Sequence, residues 1–276
     1  MSERHIGLAN GQPDGLTVRV IGGLTVCVAG QPLAPADIGS RKGRVVLAML
    51  AIHKRHVHIG DLSSAVWGER PPANPSAGIA TLVSRLRSKL GANAVVGSRA
   101  AGYRLGAHVR VDLFRAADLL SDAHTALAAD APGNALAIGH QALQLLDRGD
   151  ILADYPDVLW ADSQSTLHGH LLRQARHLVI DAALPSGDLR TAQMVAEDAI
   201  AADSLDELAG RQLMRAYRRN GEPGRALAVY ERLRAALASE LGVSPSPETR
   251  AIHAETLRCN AASRPADGLR QELWSA

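Results

Sequence analysis

Thr81, Ser84, Arg85 and Ser88 recur at the spacing that puts four side chains on one face of a helix, and Arg87 and Lys89 flank them. Hydroxyls and guanidinium groups can hydrogen-bond to base edges and phosphate oxygens, and a guanidinium fork grips a guanine edge with two parallel bonds. No comparable arrangement for catalysis is found. The chain has no GxSxG, no HExxH, no paired carboxylates in a glycine-rich setting and no GxxxxGK[ST]. His53, His56 and His58 straddle a predicted helix end without fixed geometry or a nearby thiolate. His168 and His170 project from different faces of a helix, and His177 is too far along it for a two-ligand zinc spacing. No cofactor or metal is expected, and no enzymatic activity.

The elements that must position the basic stripe can be read on either side of it. TVRVIGG and LTVCVAG alternate apolar and small or polar residues around Gly22 and Gly23, which predicts a short antiparallel sheet. From Ser40, an N-cap residue, to Arg55, Val45, Val46, Leu47, Met49, Leu50 and Ile52 recur with helical spacing. Arg41, Lys42 and Arg44 open that helix against its dipole and so call for an external anion. A short helix follows, opened by Asp61 and stopped by Gly68. Ser76 is the expected cap of the next, whose core stripe is Ile79, Val83, Leu86 and Leu90 and whose end is Gly91. AVVGSRAAGYRLG reads as two brief strands around a turn bearing Arg99, followed by Tyr103 and Arg104. Alone, VSRLRSKL reads as an amphipathic surface helix. A sheet, three helices and a hairpin in sequence, with an arginine near the hairpin tip, read as a winged helix.

Charge divides the chain in the same place. Residues 15–110 hold 13 Lys or Arg against 3 Asp or Glu, whereas residues 111–276 hold 16 against 23, so a polyanionic partner belongs to the first part. With 276 residues, 46% of them hydrophobic, the chain can fill two cores. Cys27 and Cys259, far apart in sequence, form no disulfide framework, which fits a reducing cytoplasm. No stretch approaches a membrane span, and residues 1–15 are expected to be a flexible leader.

Beyond Val111 every segment shows helical periodicity and no strand is expected. Gly187, Ala192, Ala196 and Ala199 are matched 34 residues later by Gly221, Ala226, Tyr230 and Leu233, the tetratricopeptide period; Ala135 and Ala142 stand in comparable positions earlier. Asp154, Asp157 and Asp162 cluster with Tyr155 and Trp160, which reads as a solvated inter-helix loop ahead of the alternative, a partner-binding corner.

The segments RKGRVVLAMLAIH, DLSSAVWGERPP, SAGIATLVSRLRSKLG and AAGYRL together resemble the OmpR-type DNA-binding domain of the SARP family, the actinobacterial antibiotic-regulatory activators. GRQLMRAYRRNGEPGRALAVYERLRAALASELGVSPSPETRAIHAETL resembles the bacterial transcriptional activator domain that follows it in that family. The resemblance spans residues 17–258. It implies an α+β N-terminal winged helix-turn-helix over 16–107, an all-α tetratricopeptide-like repeat domain over 108–260 and a tail over 261–276. It implies that the helix at 76–90 enters the major groove of double-stranded DNA and that the hairpin at 95–105 touches the backbone or minor groove. Arg85 and Arg87 are then major-groove and phosphate contacts beside Thr81, Ser84 and Ser88. Arg41, Lys42, Arg44 and Lys89 hold phosphates, and Arg99, Tyr103 and Arg104 belong to the wing. Leu82 stands where relatives often carry a polar side chain. The family implies an activator that binds direct repeats at a promoter as a dimer and recruits RNA polymerase. The alternative is a helical-repeat adaptor for a protein partner with only nonspecific DNA affinity.

Overall fold

A computed structural model describes residues 15–155 and 162–262. The expected leader and tail, apart from Gly15, Ala261 and Ala262, lie outside the described residues, as do Asp157 and Trp160. The chain divides into two units, Met1–Asp118 with Gln144–Leu172 and Leu119–Leu143 with Arg173–Ala276.

In the first unit, β1 (Thr17–Arg19) and β2 (Thr25–Val28) pair antiparallel with Val18 opposite Val26, and β3 (Gln31–Pro32) extends the far edge. The expectation of no strand from Val111 onward is corrected at its first residue. Val111 lies in β6 (Arg110–Val111), which pairs parallel with β1, and Ile151 bridges Ile21. Both pieces are too short to show a period in sequence. Gly22, at φ +80°, lets the chain come close: a Cβ there would stand 2.7 Å from the Arg148 carbonyl oxygen. The Asp112 carboxylate closes this corner by accepting from the N–H groups of Val20 and Leu113, each at 2.9 Å, and of Ile21 at 3.3 Å. Burial raises its pKa in spite of those three donors.

The same unit holds α1 (Pro35–Ile38), α2 (Arg41–Ala51), α3 (Ile59–Trp67) and α4 (Pro75–Leu90), which pack on one another. Ser40 caps α2 by accepting from the Gly43 N–H at 3.2 Å. The cap of α4 is Asn74 rather than Ser76, its side chain accepting from the Ala77 N–H at 3.0 Å. Pro75 then occupies the first helical position, where its missing N–H costs nothing. The predicted core stripe of α4 is buried and Leu82 joins it, so a leucine at that position serves packing. β4 (Val95–Ser98) and β5 (Gly102–Leu105) form the predicted hairpin.

The remaining helices are α5 (Asp112–Ala128), α6 (Pro132–Leu146), α7 (Asp162–Ser186), α8 (Leu189–Ala202), α9 (Glu207–Arg219), α10 (Pro223–Glu240) and α11 (Pro247–Ala262). In the second unit α8, α9, α10 and α11 pack in chain order around Ala192, Ala196, Leu213, Tyr217, Ala226 and Tyr230. The turn at Gly187 and the turn at Gly221 have the same main-chain wiring. Asp188 N–H reaches Ala183 O at 3.1 Å, and Glu222 N–H reaches Tyr217 O at 2.9 Å. The α5–α6 turn repeats it, with Ala131 N–H on Ala126 O at 3.0 Å. Ala135 thus stands in its turn where Ala192 and Ala226 stand in theirs. No helix among the described residues is long and apolar enough to cross a membrane.

Candidate nucleic-acid interface

α4 presents Thr81, Ser84, Arg85, Ser88 and Lys89 on its exposed face, while Ile79, Val83, Leu86 and Leu90 hold the other face in the core. Thr81 turns its hydroxyl back to the Ala77 carbonyl at 2.9 Å, as helical threonines often do. Arg85, Lys89 and Arg99 are exposed and make no hydrogen bond or ion pair with the described residues. A hollow of about 150 Å³ separates Arg85, Ser88 and Lys89 from Gly39, Ser40 and Gly43 at the start of α2. Ile38, Leu82 and Leu86 complete its lining, so Arg85 and Lys89 border the start of α2 across a largely apolar hollow.

The orientation of α4 depends on Trp67, the last residue of α3. Its indole lies against Gly78, where the helix has no side chain, and Lys42 Nζ sits 5.6 Å from the ring centroid. A glycine within a helical pattern was the available sequence signal for this contact.

The other predicted contacts are arranged differently from the stripe. Arg41 is exposed at the start of α2. Arg44 directs Nη1 inward, donating to Gly39 O at 2.7 Å and Pro35 O at 3.1 Å, so it ties α1 to α2. Arg87 donates Nε to Val95 O at 2.7 Å and Nη2 to Gly97 O at 3.1 Å, both on β4. Arg104 donates Nη1 to Leu105 O at 3.1 Å. Tyr103, expected at the wing surface, is only 3% exposed and lies under the Arg87 guanidinium. It packs the hairpin and is withdrawn from the contact surface, because its main chain is paired to Val57 and its ring is covered by Arg87.

The helical unit has a polar cluster of its own. Asp206, its side chain 2% exposed, caps α9 through the Ala209 N–H at 3.0 Å. It also accepts from Arg173 Nε at 3.0 Å and lies 2.7 Å from His177 Nε2. Burial pushes its pKa up, but the bonds from His177, Ala209 and Arg173 outweigh burial and hold it well below the usual carboxylate range. Glu207 is also lowered, burial being overcome by bonds from Ser246 and Thr249 that fix the start of α11. His168 is buried with Nε2 2.7 Å from Leu146 O, and His53 Nδ1 is 2.8 Å from Met49 O. Among the described residues no three His, Cys, Asp or Glu side chains are grouped to hold a metal.

The family described as the bacterial transcriptional activator domain matches residues 111–257. Regulatory protein AfsR of Streptomyces griseus is 36% identical over 232 residues, which are 83% of this chain and 24% of AfsR. Transcriptional regulatory protein MoaR1 of Mycobacterium tuberculosis is 30% identical over 255 residues, covering 87% of this chain and 78% of MoaR1. Among solved structures, Mycobacterium tuberculosis EmbR in complex with a low-affinity phosphopeptide is similar at a TM-score of 0.79 and 28% identity. That match covers 88% of this chain and 65% of the EmbR chain. The chain thus spans about a quarter of the length of AfsR.

Proposed function

Because the chain belongs to the SARP family of transcriptional regulators, with a bacterial transcriptional activator domain over residues 111–257, we propose that it is a sequence-specific DNA-binding activator of transcription. Residues 16–107 form a winged helix-turn-helix in this reading, and residues 108–260 a tetratricopeptide-like domain that contacts a second copy and RNA polymerase. α4 enters the major groove. Arg85 reads bases with Thr81, Ser84 and Ser88 beside it, Lys89 and Arg41 hold phosphates near the start of α2, and Arg99 reaches the adjacent backbone or minor groove. The protein works on direct repeats near a promoter, in the cytoplasm, without a cofactor and without catalysing a reaction.

The observation that carries this reading is the exposed stripe of α4, whose Arg85 and Lys89 have no protein partner among the described residues and which borders the start of α2 at the small hollow. The test is a mobility-shift titration on upstream DNA from the protein's own gene neighbourhood, with unrelated competitor DNA, at two salt concentrations. A discrete shift that survives competitor supports a sequence-specific regulator. A smear that fades with salt is nonspecific attraction alone, and puts the helical-repeat adaptor first.

A further inference from the structure

The β4–β5 hairpin is anchored on two sides. On one, Val57 exchanges both main-chain bonds with Tyr103, N–H to O at 2.8 Å and O to N–H at 3.0 Å. The chains are so close there that a Cβ on Gly102 would stand 2.5 Å from the Val57 carbonyl oxygen. On the other side β4 is an edge strand, and the carbonyls of alternate residues point outward from it. Two of these, Val95 O and Gly97 O, accept from Arg87. Those are the only side-chain hydrogen bonds between α4 and the hairpin among the described residues. The same guanidinium carbon lies 5.7 Å from the centroid of Tyr103. A planar fork with five donors can bridge two carbonyls and cover a ring at once, whereas an ammonium on a flexible stem cannot.

We propose that Arg87 is a positioning residue that locks the hairpin to α4 and so fixes the distance between Arg85, on the base-reading stripe, and Arg99, on the wing. The proposal rests on the DNA-binding reading above and gives Arg87 a role other than that of a phosphate contact. Its charge is incidental to that role; its shape is not. The two carbonyls engage Nε and Nη2 and leave Nη1 without a protein partner among the described residues, so the brace holds whether or not a phosphate meets the outer edge of the guanidinium.

The test uses the full chain as wild type, Arg87→Lys, Arg87→Ala, Arg99→Ala and the Arg87→Ala, Arg99→Ala double variant. Amide exchange of residues 95–105 is followed without DNA, and binding is measured on a duplex that the wild type selects from a random-sequence pool. Arg87→Lys and Arg87→Ala are both expected to speed exchange in the hairpin and to weaken the selected duplex by roughly tenfold, the lysine giving no rescue. Arg99→Ala is expected to cost little more when placed on Arg87→Ala, because a loosened wing has already lost its contact. Wild-type exchange and wild-type binding in Arg87→Lys, with the salt slope of Arg87→Ala reduced by about one, would overturn the proposal and make Arg87 a phosphate contact. Should the wild type select no sequence, the DNA-binding reading fails instead, and hairpin exchange in Arg87→Lys then decides the brace by itself.

Discussion

Gly78 and Trp67 fix the approach of α4 to α3: a Cβ on Gly78 would stand 2.9 Å from Cη2 and 3.1 Å from Cζ2 of the indole. Neither atom is the end of a flexible chain, so the ring can yield only if the helix or the indole moves. Gly78→Ala should therefore lose about 1–3 kcal/mol in chemical denaturation although alanine is the better helix former. It should also weaken the selected DNA site. A stability equal to or above wild type would show that the close contact has slack.

On the exposed face of α4, Arg85→Ala is expected to cost about 1–3 kcal/mol on a specific site and to relax base preference, whereas Lys89→Ala weakens all sequences alike and lowers the salt slope by about one. Salt-dependent titrations on specific and random duplexes separate the two. Equal losses on both duplexes for Arg85→Ala would remove it from base reading.

Much of this interface is legible from spacing, and its limits are instructive. The Ser40 cap, the core stripe of α4 and the hairpin around Arg99 follow from local periodicity and turn chemistry, which act within a few residues. Spacing gives the face on which an arginine sits but not what it reaches. Arg44 and Arg87 find carbonyls on other elements, 5 and 9 residues away for Arg44 and 8 and 10 for Arg87. Arg85, only two positions from Arg87, makes no such bond among the described residues. Ser76 lost the cap to Asn74 because a proline between them suits the first helical position and leaves the residue before it to accept.

The helical unit carries a pH-dependent bond. The folded-state pKa of Asp206 is lowered from an ordinary value of 3.8, so its contribution to stability is complete above that value and declines as pH falls below it. Wild-type unfolding free energy should fall with pH in the acid range, and Asp206→Asn should flatten that slope. At neutral pH, Asp206→Ala also removes the α9 cap and leaves Arg173 without its best partner, an expected loss of about 2–4 kcal/mol. Parallel pH profiles for wild type and Asp206→Asn would contradict the assignment.

Gly187 and Gly221 hold φ of +78° and +76°, and a Cβ on either would meet nothing within 4 Å. Alanine at these sites should cost only the backbone strain of a left-handed residue, about 1 kcal/mol at each position, with asparagine costing less. Thermal or denaturant unfolding of the four variants checks this. A much larger loss at one glycine would mean that the two turns, alike in wiring, differ in what surrounds them.

The clasp around Asp112 bears on how such a regulator could be taken apart and rebuilt. β1 takes its parallel neighbour from Arg110–Val111, and just beyond it the Val20 and Ile21 amides donate to the Asp112 carboxylate while Ile21 bridges Ile151, so this edge is finished by chain lying beyond residue 107. A single cut at residue 107 would strip β1 of that neighbour and leave the Val20 and Ile21 amides without acceptors. An N-terminal module transplanted into another regulator must bring two separate stretches of its own chain, or land in a host that supplies an edge strand and a carboxylate in their place.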